Sequence, residues 1–508
     1  MKTLIFIYKN KLLVALKFAA AFGVLVALSA CESGQNKSMQ DVVNVPAFDL
    51  SENKPAGGMT HKRLFASYLY PGEKLSNKQK LDFWSGFSFF RDPWLAAPSA
   101  TGNRDGLGPL FNTRSCVDCH TAGSRANIDQ PGQILPLSLV VRLGSKDPKN
   151  KGVDPVYGGQ IQPRAMSYRL TDAEILKKHA YTDNVGEAWL DKSYSKVQGH
   201  FATDSKDINT KGETYELLKP NYQLTKLAYG ELAPHIGLSV RLAPNIFGMG
   251  LLNAINVNDL LQQEDIDDLD GNGISAKYNR VPNVITGEIE VGRFGFKAKQ
   301  PNLHQQVAAA FRDDIGITNS SFPEETCTAT QVACNYASEY GGHSLVDLEI
   351  PDNRLDLTVT FNELLGVPPA RNLQSKTVQA GRTVFYQLKC QQCHTPSYVT
   401  DETYPVKALA KQTIWPYTDL ALHDMGEGLA DGVHEFDANG QEWRTPPLWG
   451  IGLQKDKTGQ QRFLHDGRAR TISEAILWHG GEAAPAQKAY VALTKQQREA
   501  LIKFVKSI

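Results

Sequence analysis

The pattern Cys-x-x-Cys-His occurs twice in this chain, as Cys116-Val117-Asp118-Cys119-His120 and as Cys390-Gln391-Gln392-Cys393-His394. It is the attachment signature of c-type haem. Each cysteine pair can form thioethers to the porphyrin vinyl groups, and the adjacent histidine is then placed to bind the iron. A zinc site would suit a closed four-ligand cluster, and a thioredoxin-type disulfide needs only the cysteines. Neither alternative requires histidine in fifth place twice. Whatever else the chain does, its fold is expected to enclose two covalent haem c groups.

The N-terminus points to the compartment that such chemistry needs. Lys2, Lys9, Lys11 and Lys17 precede an apolar stretch, Phe18 to Leu28, ending in Leu28-Ser29-Ala30-Cys31. A basic region, an apolar region and a small-residue cleavage site make a secretory signal over residues 1–30. Cysteine directly after Leu-Ser-Ala resembles the bacterial lipobox, so Cys31 is expected to carry lipid and become the first mature residue. A transmembrane anchor is the alternative, but the apolar stretch is short for a span. Glu32 after the cysteine leans, by analogy with lipoprotein sorting, towards a periplasm-facing position on the outer membrane. Export also accounts for the remaining cysteines. Cys31 takes lipid and four take haem; Cys327 and Cys334 flank a polar loop and read as a disulfide in an oxidising compartment, with a redox-active pair as the alternative. Thioether bonds would remove the haem cysteines from exchange, which argues against a thiol oxidoreductase.

Acidic and basic residues balance at 54 each, so no broad positive field recruits nucleic acid. At 508 residues the chain exceeds one small cytochrome and predicts two or more cores. Residues 31–62 are rich in Ser, Asn, Lys, Pro and Gly and read as a lipidated tether. Residues 63–150 form an N-terminal haem region, 151–370 an intervening region, and 371–508 a C-terminal cytochrome c domain. The expected fold is mainly α, with irregular loops and few short strands: two cytochrome c-like haem domains around a large intervening region. A helix is predicted after Ser76, with Gln79 completing a capping box and Leu81, Trp84 and Phe87 at helical spacing. Trp84 and Trp94 are expected in the core rather than in an electron relay.

In the intervening region, Asp268-Leu269-Asp270-Gly271-Asn272-Gly273 places oxygen side chains at alternate positions, with glycine at the sharp turn of a calcium loop. Asp268, Asp270 and Asn272 would be the side-chain ligands. Position twelve is Asn279 instead of a bidentate glutamate, and an ordinary Asp/Gly turn is the alternative.

In the C-terminal part an amphipathic helix with Val378, Val384, Phe385 and Leu388 leads into Cys390, and a closing helix begins at Thr494, capped with Gln497. Between them, Phe463-Leu464-His465-Asp466-Gly467 precedes a short helix that starts at Thr471, capped with Glu474, and stops at Gly480-Gly481. On it Ile472, Ala475, Ile476 and His479 share one face. His479 thus points with the apolar residues. A core histidine held by a hydrogen bond would look the same, but a haem in this domain lacks its second ligand, and His479 is taken as the distal ligand opposite His394.

The paired haem motifs, the His465-Asp466-Gly467 turn and the following ligand-bearing helix resemble bacterial di-haem cytochrome c peroxidases and the related tryptophylquinone-forming di-haem enzymes. The resemblance to the di-haem oxidoreductase family is closer and extends over most of the mature chain. It takes in Asp105 to Asn112, Gly292 to Ala298, His423-Asp424-Met425-Gly426 and Arg444 to Gly450. In the peroxidases the position of His479 is typically methionine, which raises haem potential relative to histidine. A His394/His479 haem is therefore expected at lower potential.

The resemblance implies a periplasm-facing di-haem oxidoreductase of peroxidase type. The C-terminal haem would relay electrons from a small redox protein or a quinol-linked donor. The N-terminal haem, on His120, would meet peroxide or another small oxidant. No histidine shortly after His120 matches a peroxidase distal ligand; His179, His200, His235 and His304 are unranked, and no acid/base group can be named. A non-enzymatic electron carrier and a sensor with one open haem are the rival readings.

Overall fold

Side-chain caps and close helix crossings set the helices that frame the two haem motifs. Helix α1 (Asn77–Arg91) opens on the expected box: Ser76 Oγ accepts from Gln79 N at 3.2 Å, and Gln79 Oε1 accepts from Ser76 N at 2.9 Å. Its buried face is Phe83, Gly86 and Phe90, not the predicted stripe: Leu81 and Trp84 are exposed. The buried face packs on α2 (Asp352–Glu363), where Phe361 lies 4.9 Å from Phe83 and 4.8 Å from Phe90 between ring centroids. Gly86 permits this approach, since a Cβ there would fall 1.9 Å from Leu357 O.

In the C-terminal part α3 (Lys376–Gln387) packs against the chain's last helix. Gly381 again marks the closest approach, with a Cβ site 2.0 Å from Ala500 O. Between the two in sequence lies α4 (Ile472–Leu477). Its Thr471 cap accepts from Glu474 N, but the Glu474 carboxylate turns back to Arg470 instead of closing a box. The last helix, α5 (Lys495–Ser507), has the full Thr494/Gln497 box, and Phe504 meets Phe385 of α3 at 5.4 Å.

The computed structural model describes residues 44–508 apart from 63–66, 127, 129–137, 151, 166–185, 204–211, 333 and 336–347. The signal segment, Cys31 and His179 lie outside the described residues. None of the described helices is long and apolar enough to cross a membrane.

The expectation of a mainly α fold is overturned. Helix accounts for 30% and strand for 19%, with the strands in many small sheets. Strand β1 (Leu139–Ser145) is the centre of a three-stranded antiparallel sheet, flanked by Gln160–Ile161 and a partner at Ile236–Leu242. A long ribbon pairs β2 (Trp189–His200) with β3 (Thr214–Thr225). Its His200/Thr214 end reaches the C-terminal helices, where Ala202 N donates to Val491 O and the Arg498 guanidinium lies 3.8 Å from the Phe201 ring centroid. Ile236–Leu242 is β4; β5 (Leu422–Asp424) and β6 (Glu442–Arg444) pair with His423 opposite Trp443. Short runs such as Leu139-Val140-Val141 and Ile236-Gly237-Leu238, separated by turns, are strands with no exposed residue, where periodicity carries little signal.

Asn44–Ile508 forms one compact unit; one apolar core gathers Phe83 and Trp94, then Phe247, Phe311 and Phe361, then Leu409 and Trp449, while the sheet around Val141 and Val240 packs a second cluster of its own. Residues 44–62, expected in a tether, are docked. Glu52 and Arg382 form a buried ion pair at 3.1 Å, Arg382 Nη1 donates to Pro46 O, and Trp415 N donates to Pro55 O. Polar composition suggested solvation, but Glu52 meets a guanidinium more than 300 residues away.

Candidate haem sites

At the second motif the chain brings two imidazoles together. His394 Nδ1 bonds Tyr417 O at 3.0 Å, and His479, just beyond α4, bonds Ala475 O through Nδ1 at 2.7 Å. A carbonyl at Nδ1 fixes the tautomer and leaves Nε2 for iron. Burial first, and the neighbouring His479 next, push His394 down to about 4, against its carbonyl bond. Burial likewise lowers His479. Both rings are therefore neutral at physiological pH, with a lone pair to give.

Tyr417, whose carbonyl orients His394, donates its hydroxyl to Glu52 Oε2 at 3.2 Å. The docked N-terminal segment thus braces the proximal side of this site.

At the first motif His120 is prepared in the same way. Its Nδ1 bonds Pro244 O at 2.8 Å, and burial pushes it down to about 4. Its described surroundings differ: the Phe90 ring lies 6.3 Å away between centroids, and the Arg125 guanidinium disfavours its protonation. Neither group ligates iron. His200 bonds Thr214 and His304 faces Asp356. No described contact brings them or His235 to His120.

The donor set suits haem. Cys116, Cys119, Cys390 and Cys393 form no disulfide, and burial pushes Cys116 and Cys390 up to about 12. Such thiols are poor thiolate ligands or exchange nucleophiles. Two buried guanidiniums lack an acid at ion-pair distance among the described residues. Arg125 donates to Leu464 O at 2.6 Å, and Arg444 donates to Gly295 O at 2.9 Å and Thr445 O at 3.0 Å. Burial lowers both to about 10. A buried cation held only by carbonyls is costly unless an anion completes its shell, and haem propionates are anions of that kind.

The Phe463–Gly467 turn borders the first site. Leu242 N donates to His465 O, two residues before the Pro244 that holds His120. His465 stacks on Trp443 with centroids 3.7 Å apart and planes at 7°. Lys297, fully buried, sits 4.6 Å from the Trp443 centroid and bonds Asp431, Val433 O and Asn439 O. Arg241 pairs with Glu435 at 2.9 Å beside the same indole.

Sequence reasoning gave no role to His423. Its Nε2 bonds Asp419 and its Nδ1 bonds Glu482, both at 2.8 Å, and Nδ1 lies 3.7 Å from Cys393 Sγ. Burial works against its charge, yet Asp419 and the other partners hold its pKa well above the ordinary value. The only sequence signal was its place in the His423 to Gly426 stretch.

A family model described as "Di-haem oxidoreductase, putative peroxidase" matches residues 61–508. The chain belongs to that family. This di-haem oxidoreductase has no match among curated proteins. Among solved structures it is similar to a chain of hydrazine synthase from Kuenenia stuttgartiensis at 16% identity and a TM-score of 0.22, over 37% of this chain and 65% of that one. That likeness is too slight to bear on fold or function.

Away from the haem motifs, Cys327 and Cys334 form a disulfide with Cα atoms 5.7 Å apart. In the predicted calcium loop the carboxylates of Asp265, Asp268 and Asp270 gather within 4.8 Å of one another. Asn272 Oδ1 accepts from Ile274 N and its Nδ2 donates to Asp270. Asn279 is buried elsewhere, donating to Lys297 O.

Proposed function

We propose that this di-haem oxidoreductase is a periplasm-facing lipoprotein with two covalent haem c groups that reduces peroxide. Electrons would pass from the haem on His394 and His479 to a reactive haem on His120. One observation carries the reading: at the second motif two carbonyl-anchored imidazoles lie close enough for His479 to lower the pKa of His394, whereas the neighbours of His120 include Phe90 and Arg125, which do not ligate iron. Bound haem supplies one-electron storage at a saturated iron and peroxide chemistry at an iron with a free face. Four cysteines would attach the groups, and His120, His394 and His479 would present Nε2. Arg125 and Arg444 would meet propionates. Lys297 and Arg241 hold their cations beside Trp443 and His465, so that the wall of this region is charged and dry. The electron donor would be a small redox protein or a quinol-linked donor, and the Asp265–Asp270 loop would take calcium.

Stopped-flow mixing of peroxide with protein reduced by one electron tests this. The expected result is oxidation of the low-spin haem in the same phase that consumes peroxide. Peroxide left unconsumed, with both haems low-spin, would make the protein an electron carrier instead.

A further inference from the structure

Trp84 is the one tryptophan of seven that stands exposed, at 45%, beside Leu81 at 67%. Its indole lies edge-on to Phe83, at 5.0 Å between centroids, and to Phe87, at 5.6 Å. Both phenyl rings meet Phe361, at 4.9 and 5.4 Å. Phe361 meets Phe90 at 4.8 Å, and Phe90 lies 6.3 Å from the ring of His120. Rings therefore run without a break from the surface to the histidine expected to hold the first iron. Trp84 and Phe90 stand six residues apart on one helix, about 9 Å along its axis. The close crossing of α1 and α2 at Gly86 holds the series rigid.

Packing does not explain an indole left in water, because burying it would be favourable. Phenyl rings do not give up electrons at the potentials of haem chemistry, whereas an indole does. We propose that Trp84 is a surface port through which a one-electron reductant in solution exchanges electrons with the haem on His120. The phenyl rings are the medium and the indole is the station.

A planar phenol or hydroquinone fits the port, because it can stack on the exposed indole face. This use rests on the peroxide reading above. Trp84 would give one electron to an oxidised haem held by His120, its indole N–H proton passing to water. The hydroquinone returns one electron and one proton to the indole and becomes a semiquinone. A second passage yields the quinone. Two electrons and two protons thus convert one peroxide into two waters.

Pulse radiolysis of the fully reduced di-haem protein tests the port without peroxide. Azide radical takes an electron from a surface indole, becoming azide, and the indolyl radical is refilled by a ferrous haem with uptake of a proton. The wild type should show a first-order phase, independent of protein concentration, in which indolyl decay and ferrous haem loss coincide. Trp84→Phe, which keeps an aromatic ring and should leave the ferrous spectrum unchanged, should lower that phase about tenfold or more. The same phase at wild-type rate and amplitude in Trp84→Phe would overturn the proposal. A second arm measures peroxide-driven hydroquinone oxidation, expected to fall about tenfold in the variant. If the wild type ignores peroxide while the radiolysis phase still depends on Trp84, the port stands and the peroxide reading fails. If the phase does not depend on Trp84, the port fails whatever peroxide does.

Discussion

Around His394 the protein supplies a second imidazole and a buried brace from its own N-terminal segment; around His120 the neighbours include a phenyl ring and a guanidinium. The five-residue motif is the same in both places, and each axial histidine is prepared alike, by a carbonyl at Nδ1 and by burial. The difference lies wholly in what distant segments bring. His479 comes from a short capped helix, and Glu52 from a segment that looks like linker. A motif can fix where a haem is attached, but its job follows from the opposite face.

The largest effects come from removing one attachment site at a time. Cys116→Ser with Cys119→Ser should abolish one covalent haem, and Cys390→Ser with Cys393→Ser the other. Haem-stained denaturing gels and mass spectra would each show one haem lost; retention of two would break the comparison at its base. His479→Ala should then convert one low-spin haem to high-spin while leaving the other spectrum intact. An unchanged spectrum would remove His479 from the ligand set and make the two sites alike.

The brace is tested by Arg382→Ala, which leaves Glu52 buried without its cation. The expected loss is roughly 3–5 kcal/mol in denaturant unfolding, against little change for a surface pair such as Lys411–Glu402. Equal effects would mean that the N-terminal segment does not support the second site.

Acid should act on the charged wall near the first site. Burial works to raise Glu435, but Arg241, Lys299 and Arg142 override it and hold the carboxyl at about 2, below its ordinary 4.5. A depressed carboxylate stabilises the folded state above its unfolded value and loses that contribution as pH falls through the folded one. The stability gap between wild type and Glu435→Gln should therefore be full above about pH 5, on the order of 3 kcal/mol, and close towards pH 2. A gap that widens on acidification would contradict the ion-pair account. The smallest effect is expected from calcium. At saturation it should raise the melting temperature through a site worth about 1–3 kcal/mol, and Asp268→Ala with Asp270→Ala should remove the rise.

What the sequence made legible follows from how local each feature is. The proposed attachment motifs are contiguous, so all six of their positions could be read directly as candidates. The short helix before His479 was legible from its Thr471 cap and its Gly480-Gly481 stop, but its buried residues are Ile472 and Leu477, not the whole predicted face. The face of α1 was misread because the helix carries two apolar stripes, and the partner that chooses between them, Phe361, lies about 275 residues on. Strands in the middle region hid in short apolar runs. Arg125, Arg444, His423 and Lys297 were silent because each takes its meaning from residues brought by other segments. The brace was hidden by composition: Glu52 sits among solvating residues and is buried by one partner.

The inequality of the two haems is tested most directly by low-temperature electron paramagnetic resonance of the fully oxidised protein. The account predicts two ferric signals of equal spin count, one low-spin with bis-histidine anisotropy and one high-spin, with only the high-spin signal altered by azide or cyanide. Two low-spin signals indifferent to added ligand would contradict it.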